Sequence, residues 1–213
     1  MDPFKSLLDV AEKLLGPQGC PWDQQQTFLS LQPYILEEAH EVIEAVDADD
    51  DRKIVEELGD LLYTVVFYGK LAEKNGRFSI TDILSCIKEK LIRRHPHVFG
   101  EVKVADAGEV LKNWERIKAE EKGALKPPSA LDGIPPTLPS LTRTQKMIKR
   151  MQRANSPLVA KEELPSLSEE EIGDEMVALI VRAENGGIDV ESALRRSFSR
   201  LEEAFRRAEA KKT

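Results

Sequence analysis

Two stretches, ILEEAHEVIEAV (35–46) and EELGDLLYTVV (56–66), decide how this chain is read. Ile35, Ala39, Val42 and Val46 recur at helical spacing, as do Leu58, Leu61, Leu62 and Val65. Between them, Asp47-Ala48-Asp49-Asp50-Asp51 reads as a turn followed by a helix cap. The two helices are therefore expected to pack as an antiparallel pair. Each carries acids: Glu37, Glu38 and Glu41 on the first, Glu57 and Asp60 on the second. Residues three and four apart share a helix face, with Cβ atoms about 5–6 Å apart. Glu38 stands one turn before Val42 and Glu57 one turn before Leu61, so the acids border the apolar stripes and converge at the edge of the bundle.

Like charges brought together at low dielectric repel, and a hard divalent cation relieves the repulsion. Ligation by oxygen alone points to Mg²⁺ or Mn²⁺ rather than zinc. A single EExxE run on a helix is ordinarily a solvated acidic face. The second pair, at matching spacing on the next helix and beside its apolar stripe, favours the metal reading. Glu37-x-x-His40 has the spacing used by di-iron bundles, but the companion position is Asp60 and no second such motif exists.

Outward from this core, helical patterns fill the chain. Asp2-Pro3 opens a helix that stops at Gly16-Pro17, and residues 18–23 read as a loop. The next helix begins between Thr27 and Pro33 and ends near Asp47. The third runs to about Lys74 and is closed by Asn75-Gly76. Ser79 or Thr81 caps a fourth, ended near Arg94 by His95-Pro96, and another spans about 107–122. Residues 123–139 hold five of the twelve prolines and read as a linker. Helical patterns resume at about 140–154, 168–184 and 189–211. No segment alternates with period two for long, so the expected class is all-α. The expected division is 1–123, a Pro-rich linker at 124–139, and 140–213.

There is also an internal repeat: EELGDLLYTVV (56–66) returns as EEIGDEMVALI (170–180). Asn-Gly follows each, at 75–76 and 185–186, and then another capped helix. The two halves read as divergent copies of one helical unit.

Composition narrows the function classes. A net charge of −7 excludes binding to nucleic acid by bulk electrostatics. No stretch approaches a membrane span, and the N-terminus lacks the apolar run of a signal peptide. Cys20 and Cys86 form no CxxC pair, which fits a reducing, cytoplasmic setting. An acidic protein that handles phosphates needs local cations. Lys90, Arg93 and Arg94 cluster at the end of the fourth helix, and Lys112, Arg116, Lys118 and Lys122 follow on the next. Ordinary compensation of the helix dipole accounts for part of that bias. Trp114, among these cations, reads equally as a stacking plane for a nucleobase or as a packed tryptophan, and so does Trp22.

These residues resemble the MazG family of nucleoside triphosphate pyrophosphohydrolases. The resemblance is carried by CPWDQQQT (20–27), LEEAHEV (36–42), EELGDLLYTVVFY (56–68), KLIRRHPHVF (90–99), NWERIK (113–118) and SALDGIPPTLPSLTRTQK (129–146). EExxE followed by ExxD is shared with all-α dUTPases and dCTP pyrophosphatases; the full set is specific to MazG. It implies a MazG-like helical bundle that forms a homodimer and hydrolyses the α–β phosphate bond of an NTP or dNTP to a monophosphate and pyrophosphate. It also implies Glu38, Glu41, Glu57 and Asp60 as magnesium ligands and Glu37 as a further acid that orients or activates water. Lys90 and Arg94 would hold phosphates, with Trp114 and Lys118 near the nucleotide.

The second half departs from the pattern. Glu171-Ile172-Gly173-Asp174 keeps ExxD, but Glu162-Glu163 lacks a third acid, and Ala204 stands where Arg94 does in the first half. A degenerate, catalytically silent second repeat is expected. Two other readings compete: a narrower dUTPase-like or dCTPase-like hydrolase, and a non-catalytic nucleotide-binding helical dimer.

Overall fold

A computed structural model describes residues 2–121, 129–159 and 167–211. The chain divides into two compact units, residues 1–117 and 118–213. Among the described residues there is helix and no strand, as the all-α expectation requires.

In the first unit, α1 (Pro3–Leu15) starts where Asp2 accepts a hydrogen bond from the Phe4 amide at 3.0 Å. The expected loop at 18–23 contains a short helical turn, α2 (Pro21–Gln24). Proline at the first helical position explains it, since its φ is preset and its missing N–H has no partner to lose. Next come α3 (Gln32–Asp47) and α4 (Asp51–Lys74). Asp49 turns the chain at φ +52°, and the Asp50 side chain caps α4 by accepting from the amides of Arg52 and Lys53. Gly76, at φ +63°, ends that hairpin arm in the left-handed region that glycine enters without steric cost. A Ser79–Asp82 capping box then opens α5 (Ile80–Arg94). Pro96 again starts a short turn, α6 (Pro96–Phe99), before α7 (Ala107–Glu120).

The core lies where α1 crosses the C-terminal half of α4. Phe67 and Leu71 pack with Leu15 and Leu31, while Val66 packs with Ala11 and Ile80. This corrects the stripe expected from spacing. Leu58, Leu62 and Val46 are 49%, 45% and 54% exposed. Helical period identifies an apolar face but not which part of it another element covers, and α1 reaches only the far half of α4.

The second unit holds α8 (Ser140–Arg153), a 3₁₀ turn (Pro157–Val159), α9 (Glu169–Asn185) and α10 (Val190–Ala210). Its core is Met147 and Met151 of α8 against Phe198 and Phe205 of α10, completed by Leu131 and Ile134. Those last two come from the proline-rich stretch expected as a linker. Residues 129–139 therefore pack into this unit, and Arg150 fastens them by donating to the carbonyls of Ala130 (3.0 Å) and Asp132 (2.7 Å). Residues 123–128 of that stretch, and Glu162-Glu163, lie outside the described residues.

The repeat is visible in the backbone. The Arg77 amide donates to the Ala72 carbonyl at 3.0 Å, and the Ile188 amide to that of Ala183 at 2.9 Å. Gly187, at φ +63°, matches Gly76, so the stop falls one residue later than the Asn185-Gly186 pair suggested.

Candidate metal centre

The α3–α4 hairpin gathers the acids. Glu38, Glu41 and Glu57 each offer a carboxylate oxygen, and these oxygens all lie within 4.8 Å of one another. Glu38 and Glu57 are half-buried, while Glu37, Glu41 and Asp60 are exposed. Asp60 stands outside the group of three, one turn beyond Glu57, yet it acts on it electrostatically. Burial pushes the Glu38 carboxyl above its ordinary value, and Asp60, Glu41, Glu57 and Glu37 push it further, in that order. Glu57 is raised by desolvation, by its charged neighbours and by a hydrogen bond with Glu41.

A cation fits this set. The Glu38 Oε2 atom is buried with no hydrogen-bond partner. Burying a carboxylate oxygen in this way is costly unless a positive charge meets it. Every donor in the group is a carboxylate oxygen, the chemistry preferred by hard divalent ions.

The raised values set a sign. A carboxyl whose pKa is raised on folding contributes stability below its unfolded pKa, and that contribution is lost as pH rises through the folded value. Without metal, Glu38 and Glu57 therefore cost stability toward neutral pH, and a bound cation offsets that cost. The gain in melting temperature on adding millimolar Mg²⁺ should be larger at about pH 7.5 than at about pH 5. Equal gains at both pH values in a thermal shift series would count against these two acids as ligands.

Of the other residues singled out from sequence, Arg94 and Trp114 meet in a second cluster with His95 and His97. Arg94 ends α5 with its guanidinium 5.5 Å from the ring centre of Trp114 on α7. The His95 ring meets the same indole edge-on at 4.9 Å and lies 5.6 Å from His97. Its Nδ1 is 2.6 Å from the Leu91 carbonyl, an acceptor, so Nδ1 carries a proton and donates it. Trp114 is half-buried in this cluster, which gives it both packing and an edge toward solvent. Lys90 is half-buried near the end of α5. Lys118 falls at the start of the second unit.

Sequence reading passed over Tyr34. It lies one turn before Glu37 and Glu38 on α3, and Trp22 of α2 meets it edge-on at 5.7 Å. Trp22 is 51% exposed, so an aromatic surface borders the acid-bearing helix. The i−4 spacing of Tyr34 from Glu38 was the available signal; only the fold brings Trp22 beside it.

Fold and site together define an all-α protein whose helical hairpin carries a cluster of carboxylates spaced so that it could hold a metal ion. Residues 26–99 match the MazG nucleotide pyrophosphohydrolase domain. A nucleoside triphosphate pyrophosphohydrolase of Escherichia coli K12 is 39% identical over 98% of this chain and 88% of that protein. The nucleoside triphosphate pyrophosphohydrolase/pyrophosphatase MazG of Thermotoga maritima is 39% identical over 97% and 85%. A solved mazG-related protein from Thermotoga maritima aligns with 54% of this chain and 97% of its own, at 29% identity and a TM-score of 0.47. The chain belongs to the MazG family.

Proposed function

We propose that this protein is a nucleoside triphosphate pyrophosphohydrolase that uses Mg²⁺, with Mn²⁺ as a substitute, to split the α–β phosphate bond of NTPs or dNTPs. The observation that carries the reading is the buried, unpartnered Glu38 oxygen inside a carboxylate cluster, in a chain of this family. Glu38, Glu41, Glu57 and Asp60 would hold the ion. When bound, the ion supplies positive charge to the α-phosphoryl oxygens and lowers the pKa of water.

The chain's own groups do the rest. Glu37, exposed on the same turn, is placed to orient the attacking water and accept its proton. Lys90 and Arg94 supply the positive charge that an acidic chain otherwise lacks for the polyphosphate tail. Trp114 near that tail, or the Trp22–Tyr34 surface beside α3, offers an aromatic face to the base. Lys118 is assigned to the nucleotide by the family resemblance alone.

We read the chain as a homodimer. Leu58 and Leu62 on α4, and Leu84, Ile87 and Leu91 on α5, are exposed apolar residues at helical spacing. Such seams are the usual mark of an interface. In the ExxD remnant, Glu171 is engaged in a capping box with Ser168, and among the described residues neither it nor Asp174 joins a group of acids that could hold a metal; we assign the remnant no catalysis.

Incubation with a panel of canonical and modified NTPs and dNTPs plus Mg²⁺ tests the reaction. Monophosphate and pyrophosphate should appear in equal amounts. Release of orthophosphate would reject the proposed bond. Turnover confined to dUTP or dCTP would favour the narrower hydrolases.

A further inference from the structure

The second unit holds a small cavity, about 200 Å³, that the proposed reaction does not use. The starts of α8 and α10 form it: Ser140, Arg143 and Thr144 come from the first helix, and Glu191, Arg195 and Phe198 from the second. Phe198 joins it to the core of the unit. The local sequence explains why the place is open. Pro139 stands at the cap of α8 and supplies no side-chain hydrogen bond, so the first-turn amides of that helix have no capping acceptor. The start of α10 is capped, since Asp189 accepts from the Ser192 amide at 2.6 Å.

Two donors on consecutive residues of that lining are left over. Arg143 donates to Glu202 at 3.0 Å and holds its guanidinium 5.6 Å from the centre of the Phe198 ring, but its Nε atom is buried without a partner. The Thr144 Oγ1 atom is also buried without a partner. Buried polar groups are seldom left so, because each has given up its hydrogen bonds to water. Arg195 adds an exposed cation, and Glu191 an exposed carboxylate one turn before it. These two are engaged elsewhere: Arg195 donates to Ser192 Oγ at 2.9 Å, and Glu191 accepts from the Ser140 hydroxyl. Two arginines, a hydroxyl without a partner and an uncapped helix start together suit an oxyanion. The volume admits an ion of a few heavy atoms, whereas sites for larger organic ligands begin at about 300 Å³. Glu191 narrows the choice. An ionised carboxylate only accepts hydrogen bonds, so it repels an anion that has no proton to donate. Phosphate keeps a P–OH group near neutral pH, and sulfate keeps none.

We propose that the cavity between the starts of α8 and α10 binds a free phosphate oxyanion that still carries a proton, orthophosphate or pyrophosphate. Arg143, Arg195 and Thr144 donate to its oxygens, and Glu191 accepts from its P–OH group. The site belongs wholly to the second unit, needs no metal, and stands whether or not the chain hydrolyses nucleotides. It gives the degenerate half a ligand of its own.

The test titrates the full chain, without metal, with orthophosphate, pyrophosphate and sulfate at neutral pH and equal ionic strength, and reads the heat of binding. At least one of the two phosphate ions should bind about tenfold or more tightly than sulfate, and their ratio tells which of them the site prefers. Arg195→Ala, at an exposed position that leaves the fold intact, should weaken this binding by about tenfold. Thr144→Val, which keeps the shape and removes the hydroxyl, should weaken it as well. Glu191→Gln should bring phosphate and sulfate to within about threefold of each other, because an amide donates where the carboxylate only accepts. Arg94→Ala, in the first unit, should change none of these affinities. Sulfate bound as tightly as both phosphate ions, or no binding of either phosphate ion at millimolar concentration, overturns the proposal. So does phosphate binding that survives Arg195→Ala or disappears with Arg94→Ala, since it would then lie elsewhere. Hydrolysis is measured separately with Mg²⁺, so its failure leaves this result readable.

Discussion

Glu38→Gln should lower Mg²⁺-dependent hydrolysis by about three orders of magnitude or more, equivalent to ~4 kcal/mol of lost transition-state stabilisation. Glutamine keeps the shape of the side chain and its oxygen, but removes the charge that the cation needs. Burial and the neighbouring Asp60, Glu41, Glu57 and Glu37 raise the Glu38 carboxyl above its ordinary value, and its Oε2 atom has no hydrogen-bond partner. The same substitution should also remove the Mg²⁺-induced gain in melting temperature, while the metal-free protein becomes no less stable at neutral pH, because a repelled carboxylate has gone. Asp60→Ala should behave alike in turnover. Asp174→Ala, its counterpart in the second repeat, should leave turnover within about twofold. Steady-state rates with Mg²⁺ and melting curves with and without it check all three. Retained hydrolysis in Glu38→Gln would show that the metal is held elsewhere; loss in Asp174→Ala would show that the second half takes part in the chemistry.

Phe67→Ala should destabilise the first unit by about 3–5 kcal/mol, the usual cost of emptying a buried aromatic site. Phe67 is 3% exposed, packs with Leu15, Leu31 and Leu71, and meets the Tyr63 ring edge-on at 5.9 Å. For a unit of this size the melting temperature should fall by more than about 10 °C. Leu29→Ala, at a site 74% exposed, should change stability by less than about 0.5 kcal/mol. The comparison has a functional side. The acid end of the hairpin is open and the Phe67 end is packed, so the anchor that holds α4 lies two turns beyond the site it positions. Activity should survive in Phe67→Ala at temperatures where the unit is still folded. A loss of stability under about 1 kcal/mol in denaturant titration would mean that the α1–α4 contact does not carry this unit.

Much of the site was legible before any coordinates. The spacing of Glu38 with Glu41, and of Glu57 with Asp60, is a property of single helices, and the acidic turn between them made the helices neighbours. Convergence of Glu38, Glu41 and Glu57 followed. The place of Tyr34 and Trp22 did not, because Trp22 reaches α3 from a separate short helix whose direction no local pattern encodes. The grouping of Arg94, His95 and Trp114 likewise needs the chain to turn at Pro96 and return through α7.

The linear chain settled where helices begin and end, since caps, prolines and left-handed glycines act within a few residues of themselves. Asp2, Asp50, Ser79 and Gly76 each did what their position requires. It also settled the acid pairs, because the three- and four-residue periods are built into helix geometry. Which apolar residues are covered was a tertiary matter. Leu58 and Leu62 share the apolar character of Phe67 and Leu71 but stay open, because α1 crosses only the far half of α4. Leu131 and Ile134 sit among prolines yet are buried, because α8 and α10 leave a space that they fill. Burial depends on what comes to lie against a face, and that is decided between elements distant in sequence.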